Sequence, residues 1–326
     1  MRQPLFWHRP PGLRARLLAP LAALYARQTA RRAGRCGGTV GVPVICVGNL
    51  NVGGTGKTPT VIALVQRLAA RGVAAHVVSR GYGGRTHGAT RVDPARHEAG
   101  RVGDEPLLVS AFAPVWVGRD RLETARAAVV AGAEAIVLDD GFQSPALARD
   151  LSVVVVDAQV GFGNGRVIPA GPLREPIAAG LARADMLLAI GDAASRDRFA
   201  RHAQLAARVP LLAGRLAPLE TGMAWNGLRA FAFAGIGRPE KFFATLEGLG
   251  AHLVATRALD DHQALSRALL LRLGREARAA GAQLVTTEKD AVRLPPEFRG
   301  QVLTLPVRLE VEDWSPLDAA LGRLGL

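Results

Sequence analysis

Two cysteines in 326 residues, Cys36 and Cys46, are too few and wrongly spaced for a disulfide framework or a zinc site. A reducing, cytosolic compartment fits them, and Cys46, inside an apolar run, reads as a small core residue. Lysine is nearly absent. Lys57, Lys241 and Lys289 are the only three, so arginine carries almost all of the positive charge behind the formal net of +13. That charge points to an anionic partner: nucleic acid, an anionic membrane surface or a phosphorylated substrate. An aromatic-rich strand pair and a recognisable reading helix are both missing, which argues against nucleic acid. Long apolar runs are missing too. Near the N-terminus arginines break each run before the roughly 20 residues a membrane span needs, and no signal peptide is expected. Low-complexity tracts and internal repeats are absent, and 49% of the residues are hydrophobic. The chain should therefore be globular and is long enough for two domains.

At the N-terminus Leu13, Leu17, Leu18, Leu21, Leu24 and Tyr25 fall within an arc of roughly 140° on a helix. Arg16 and Arg27 lie opposite, Arg14 intrudes on the apolar arc, and Phe6 and Trp7 precede it. Two readings stand side by side: a helix lying in a membrane interface, or one packed on its own domain. Pro20 bends it in either case.

Beyond it, strands and helices alternate, as in parallel sheets covered on both faces. Strands are expected at 42–47, 74–78, 135–138 and 152–156, and helices at 58–70 and 122–131. The glycine-rich, charged stretch 81–103 reads as a mobile loop or lid. Residues 161–176, dense in glycine and proline, read as the domain linker. Alternation then resumes with strands near 186–190, 228–234, 252–255 and 284–286, and a last helix at 316–324. The expected organisation is an N-terminal basic helix over 1–35, a phosphate-loop domain over 36–160, and a second α/β domain over 161–326.

Six stretches carry chemistry. The first runs Asn51-Val52-Gly53-Gly54-Thr55-Gly56-Lys57-Thr58, between a strand and a helix. A phosphate-binding loop needs small residues that let backbone N–H groups face an anion, a lysine for the outer phosphates and a hydroxyl for magnesium. The following helix adds its dipole. Asn51 stands where the usual pattern has its first glycine, and a left-handed backbone there would let the loop close. The second stretch is the apolar strand ending in Asp139-Asp140-Gly141-Phe142-Gln143, where phosphate-loop enzymes set a magnesium carboxylate. The third, Gly103-Asp104-Glu105-Pro106, holds a carboxylate on a loop, a setting more often solvated than catalytic. The fourth is Asp261-His262, an acid beside an imidazole that admits proton transfer. His8, His76, His87, His97, His202 and His252 lack such a neighbour in sequence. The fifth runs from Asn164 through Pro169, Pro172, Arg174 and Glu175 to Pro176, and the sixth is Thr286-Thr287-Glu288-Lys289-Asp290 at a strand end.

Together these stretches resemble the lipid A 4'-kinase family, also called tetraacyldisaccharide 4'-kinase, over nearly the whole chain. The resemblance implies two α/β/α sandwich domains, the first with a P-loop NTPase-like parallel sheet, joined by a short β linker. It implies transfer of the γ-phosphate of ATP to the 4'-hydroxyl of an acylated glucosamine disaccharide 1-phosphate, giving lipid IVA, at the cytoplasmic face of a Gram-negative inner membrane. By motif, the loop residues from Asn51 to Thr58 would bind ATP, and Lys57 would reach its phosphates. Thr58, Asp139, Asp140, Gln143 and Glu175 would surround Mg²⁺. Asp104 would be the base with His262 as its partner, and Arg80 and Tyr82 would belong to a lid. Gln263 departs from the family's second histidine, and Gly84 adds a glycine to the lid. The alternative is a membrane-associated P-loop ATPase switch, which shares the loop and the helix but leaves the second domain unexplained.

Overall fold

The computed structural model describes residues 4–33, 37–86, 88–202 and 209–326. Cys36, His87, the side chain of His202 and the expected boundary at residue 35 lie outside the described residues.

Among the described residues, thirteen strands divide between two sheets. They are β1 (Val44–Gly48), β2 (Ala75–Ser79), β3 (Thr90–Arg91), β4 (Val115–Val117), β5 (Ala135–Asp139), β6 (Leu151–Asp157), β7 (Met186–Ile190), β8 (Leu211–Pro218), β9 (Arg229–Ala234), β10 (His252–Ala258), β11 (Gln283–Thr287), β12 (Val302–Leu305) and β13 (Val307–Val311). The large sheet runs β13-β8-β7-β6-β1-β5-β2-β4-β3 and is parallel except for its two edge strands. The small sheet, β10-β9-β11-β12, is wholly parallel.

The apolar strands lack alternation because both faces are covered. Along β1, Ile45 and Val47 join one core while Val44 and Cys46 join the other, and β5 and β6 divide the same way. The helix Lys57–Ala70 covers one face with Val61, Ile62, Leu64, Val65 and Leu68. Pro59 sits in its first turn, where no N–H partner is lost. The central position of β1 matters most. Its neighbours are β5 and β6: Asp139 pairs with Val47 and Val154 with Gly48, and β6 runs three residues further, to Asp157. Ligands of open parallel sheets bind at this carboxyl edge.

The chain leaves the large sheet after β8 and returns to it at β13. These two strands pair antiparallel from Val307↔Pro218 to Val311↔Gly214, forming the β joint between the sheets. Residues 161–176, expected from composition as the linker, lie elsewhere. Ala170 and Leu173 are buried in the core of the large sheet, and β7 and β8 extend that sheet. Glycine and proline mark irregular backbone; they do not say which sheet receives the next strand.

The stretch 81–103, read as a loop, contains edge strand β3 and a short helix, Ala99–Val102. Asp104, read as a loop carboxylate, is only 4% exposed and opens the helix Asp104–Val109. Gly103 makes this entry possible: its φ is 95°, and a Cβ there would stand 2.9 Å from the carbonyl oxygen of Tyr82.

The N-terminal segment breaks at Leu18, just before Pro20, into helices Leu13–Leu17 and Ala19–Ala33. Its small residues face inward, with Ala15 and Ala22 buried, while Leu13, Leu17 and Leu24 are 73%, 71% and 66% exposed. A surface helix of a soluble domain has the opposite arrangement.

In the small sheet Asp290 is fully buried. Its carboxylate accepts from Gly235 N, Thr287 Oγ1 and Arg293. We expect Asp290→Ala to lower unfolding stability by about 3 kcal/mol, because buried Arg293 loses its nearest carboxylate and Gly235 N and Thr287 Oγ1 lose their acceptor. Urea unfolding followed by circular dichroism measures this, and a loss under about 1 kcal/mol would contradict it.

Candidate active site

The phosphate loop is held by groups outside its own motif. Asn49, at the end of β1, is fully buried and its Nδ2 donates to Gly53 O at 3.2 Å and Thr55 Oγ1 at 3.1 Å. Asn51 is not left-handed as expected: among the described residues only Asp140 and His262 are non-glycine residues with positive φ. It forms an antiparallel bridge with Leu173, while Val52 N donates to Pro172 O and Arg174 N to Leu50 O. Its Nδ2 donates to Gly161 O at 3.0 Å. An extended residue with a side-chain donor suits this bridge, and glycine would lose the contact. Positive φ falls at Gly53 and Gly56 instead, at 99° and 97°, and at Gly56 a Cβ would meet Ile190 Cδ1 at 2.6 Å.

Asp139 and Asp140 follow one another at the end of β5 in contrasting surroundings. Arg174 Nη1 donates to Asp140 Oδ1 at 3.0 Å, and Lys57 Nζ lies 3.7 Å from the same oxygen. Although burial works the other way, Lys57, Arg174 and Arg121 hold the Asp140 carboxyl below the usual range. Asp139 has no such cation in contact. Burial, helped by the charges of Glu105 and Asp140, pushes it up to about 7. Its Oδ1 is buried without a hydrogen-bond partner.

Gln143 and Glu175 join the same network. Gln143 Nε2 donates to Asn49 O at 2.9 Å and Glu175 Oε1 at 3.0 Å, and Arg174 Nη1 approaches Gln143 Oε1 at 3.3 Å. Arg183 pairs with Glu175 Oε2 and stacks over the Phe142 ring at 4.6 Å. A direct role for either in metal binding would therefore displace Arg174 or Arg183.

Asp104 and His262 come from different sheets and meet: His262 Nδ1 lies 2.8 Å from Asp104 Oδ2. The expected neighbour, Asp261, is farther, with Oδ1 3.6 Å from Nε2. Lys289 Nζ lies 3.2 Å from His262 Nε2 and donates to Glu105 Oε1 at 2.9 Å. The hydrogen bond to Asp104 raises the pKa of His262, against burial and the charge of Lys289. Burial acts to raise Asp104, but the His262 bond and the charges of Lys289 and Arg293 outweigh it and hold its carboxyl low. His262 adopts φ 60° in a turn tied by Gln263, whose Oε1 accepts from Asp260 N at 3.0 Å. The departure at Gln263 is thus a turn contact.

Tyr82 is exposed and meets the His262 ring edge-on, 5.7 Å between centroids. Arg80 is exposed beside it. Gly84 packs where a Cβ would stand 2.6 Å from Arg101 O, so the added glycine anchors the base of this loop. Sequence reading missed Arg121, Arg183 and Arg293, since no local pattern separates them from the many other arginines. Asn49 was legible only as a polar residue ending an apolar strand.

A strand, a glycine loop capped by a helix and a lysine, and two carboxylates at the adjoining strand end define a P-loop nucleotide-binding protein. Residues 14–324 match the family model described as tetraacyldisaccharide-1-P 4'-kinase. The tetraacyldisaccharide 4'-kinase of Dinoroseobacter shibae is 66% identical over 99% of this chain and 98% of its own length. That of Jannaschia sp. is 62% identical over 99% of each chain. The crystal structure of LpxK from Aquifex aeolicus in complex with ATP superposes with a TM-score of 0.76 at 25% identity, covering 95% of this chain and 99% of that one. The chain belongs to the tetraacyldisaccharide-1-P 4'-kinase family.

The paired shifts set a pH dependence. His262 is raised above its ordinary 6.5, so its contribution to stability is complete below that value and is lost as pH rises through the folded pKa. Asp104 is held below 3.8, so its contribution is present above that value and is lost as pH falls through the folded pKa. In an NMR titration the His262 midpoint should lie above 6.5 and drop in Asp104→Asn. A midpoint unmoved by that substitution would show that the two groups do not interact.

Proposed function

We propose that this chain transfers the γ-phosphoryl group of ATP to the 4'-hydroxyl of a tetraacyldisaccharide 1-phosphate, forming the 4'-phosphorylated lipid A precursor. The observation that carries the reading is the 2.8 Å hydrogen bond joining Asp104 to His262. An acceptor hydroxyl needs a base, and this carboxylate–imidazole pair joins the helix Asp104–Val109 to the turn that follows β10.

Phosphoryl transfer depends on position and charge neutralisation more than on covalent work by the protein. The amides of Gly53, Gly54, Thr55 and Gly56 cradle the phosphates, with Asn51 and Val52 fixing the loop through their bonds to Gly161 O and Pro172 O, and Lys57 leaves Asp140 for the outer phosphate oxygens. Asp104, ionised near neutrality, accepts the hydroxyl proton as the hydroxyl oxygen bonds to the γ-phosphorus and the bond to ADP breaks. His262 orients that carboxylate and stabilises its charge before the proton arrives. Arg80 and Tyr82 border the acceptor side, where Tyr82 steadies the imidazole.

The residues present suit a magnesium ion. Among the described residues no cluster of three or more His, Cys, Asp or Glu could cage a metal alone, and magnesium is commonly held by one or two carboxylates plus substrate phosphates. Asp139, with an unpartnered buried oxygen and a raised pKa, is a carboxylate in want of a cation. Thr58, Asp139 and Asp140 would hold the ion, and Gln143 and Glu175 would order the residues around it. Bound there, it would neutralise phosphate charge.

The exposed ridge of Leu13, Leu17, Leu21 and Leu24 supports docking at the cytoplasmic face of the inner membrane, where an acylated acceptor stays in the bilayer. No helix among the described residues is long and apolar enough to cross a membrane. An ATPase switch would use the same loop and ridge, yet it has no need of an acceptor-side base.

The test is transfer of labelled phosphate from ATP to a tetraacyldisaccharide 1-phosphate in mixed micelles. We expect transfer by the native chain and none by Lys57→Ala; ATP hydrolysis indifferent to lipid would favour the switch. Asp104→Ala should lower kcat by about 100-fold or more with little change in the KM for ATP. An unchanged kcat would remove Asp104 as the base.

A further inference from the structure

One segment of the small sheet reaches the phosphate loop directly. After β9, Gly235, Ile236 and Gly237 lead into the helix Pro239–Gly248. A Cβ added to Gly237 would stand 3.6 Å from the backbone nitrogen of Gly54. The segment thus runs close beside the loop's amides, with room for one methyl group between them. The next basic residues both turn to one carboxylate oxygen. Arg238 Nη1 donates to Asp157 Oδ2 at 2.8 Å and Lys241 Nζ donates to the same oxygen at 2.6 Å. Arg238 Nη2 also donates to Gln159 Oε1 at 2.6 Å.

Asp157 is buried at the carboxyl end of β6, the strand beside β1. One cation is enough to neutralise a buried carboxylate, and here there are two. The side chains of Arg238 and Lys241 are 34% and 42% exposed, against 7% for Asp157. The carboxylate is fixed and the cations have room to re-aim. A triphosphate in the adjacent loop offers them more negative charge than Asp157 does.

We propose that Arg238 and Lys241 are phosphate ligands for the bound nucleotide, delivered from the small sheet and held in reserve by Asp157. This assignment rests on the reading of the loop as the ATP site. It has a consequence that a plain structural clamp lacks. Asp157 competes with the nucleotide for the two cations, so removing its charge and removing theirs act on ATP affinity in opposite directions.

Calorimetric titration of the full chain with a non-hydrolysable ATP analogue, and separately with AMP, tests this. Arg238→Ala and Lys241→Ala should each weaken the ATP analogue by about tenfold, with less than about twofold change for AMP, which lacks the outer phosphates. Arg238→Lys should recover part of the loss. Asp157→Asn should bind the analogue at least as tightly as the native chain. Weakening by Asp157→Asn comparable to that by Arg238→Ala would overturn the proposal in favour of a clamp. So would equal losses for the analogue and AMP, or no loss in either cation variant; these need no folded Asp157 variant. A native chain that binds no ATP analogue would overturn the ATP reading and this assignment together, whereas native binding with any of the other adverse results overturns this one alone.

Discussion

Negative charge buried at the carboxyl edge of parallel strands governs how this molecule is assembled. Burying an ionised carboxylate is costly unless a cation or several donors meet it. Asp140 has Lys57 and Arg174, Asp157 has Arg238 and Lys241, Glu175 has Arg183, and Asp104 has His262 with Arg293 behind it. Asp139 alone in this set has no cation in contact, and its pKa rises accordingly. A site otherwise so closely matched in charge leaves a defined deficit beside the phosphate loop, which suits a metal bound together with its nucleotide.

The same pairing ties the two sheets. The covalent joint is narrow: the β8–β13 ladder carries the chain out and back. The remaining polar connections are ion pairs and hydrogen bonds at the cleft, among them His262 to Asp104, Lys289 to Glu105, and Arg238 and Lys241 to Asp157. An apolar contact accompanies these charged ones: Val292, which follows β11 of the small sheet, packs against the core of the large sheet.

Much of the chemistry was legible in sequence because it is local. A glycine loop between an apolar strand and a helix, and a strand ending in two aspartates, are short-range patterns whose geometry follows from backbone rules. The segment 161–176 and the carboxylate at Asp104 were misread because their composition is that of loops. Leu173 nonetheless bridges to Asn51 and is buried, and Asp104 caps a cleft that exists only when two sheets meet. Asn51 shows the limit of single-residue reasoning. Its identity suggested a left-handed turn, yet a contact 122 positions away in the chain, the bridge to Leu173, keeps it extended. The N-terminal ridge is a similar case: the apolar arc was readable, but its outward direction depended on which face the large sheet could receive.

The sequence by itself determined the phosphate loop, the strand-end carboxylates, the alternation that makes parallel sheets and the amphipathic N-terminus, because each is set by spacing within a dozen residues or so. Only the tertiary structure decided that β1 lies between β5 and β6, that Asp104 is buried with Arg293 behind it, and that two cations of the small sheet share Asp157. Those outcomes depend on strand order and on the packing of one sheet against another. Neither leaves a periodic trace in sequence, because a strand buried on both faces carries the same apolar run wherever it sits in the sheet.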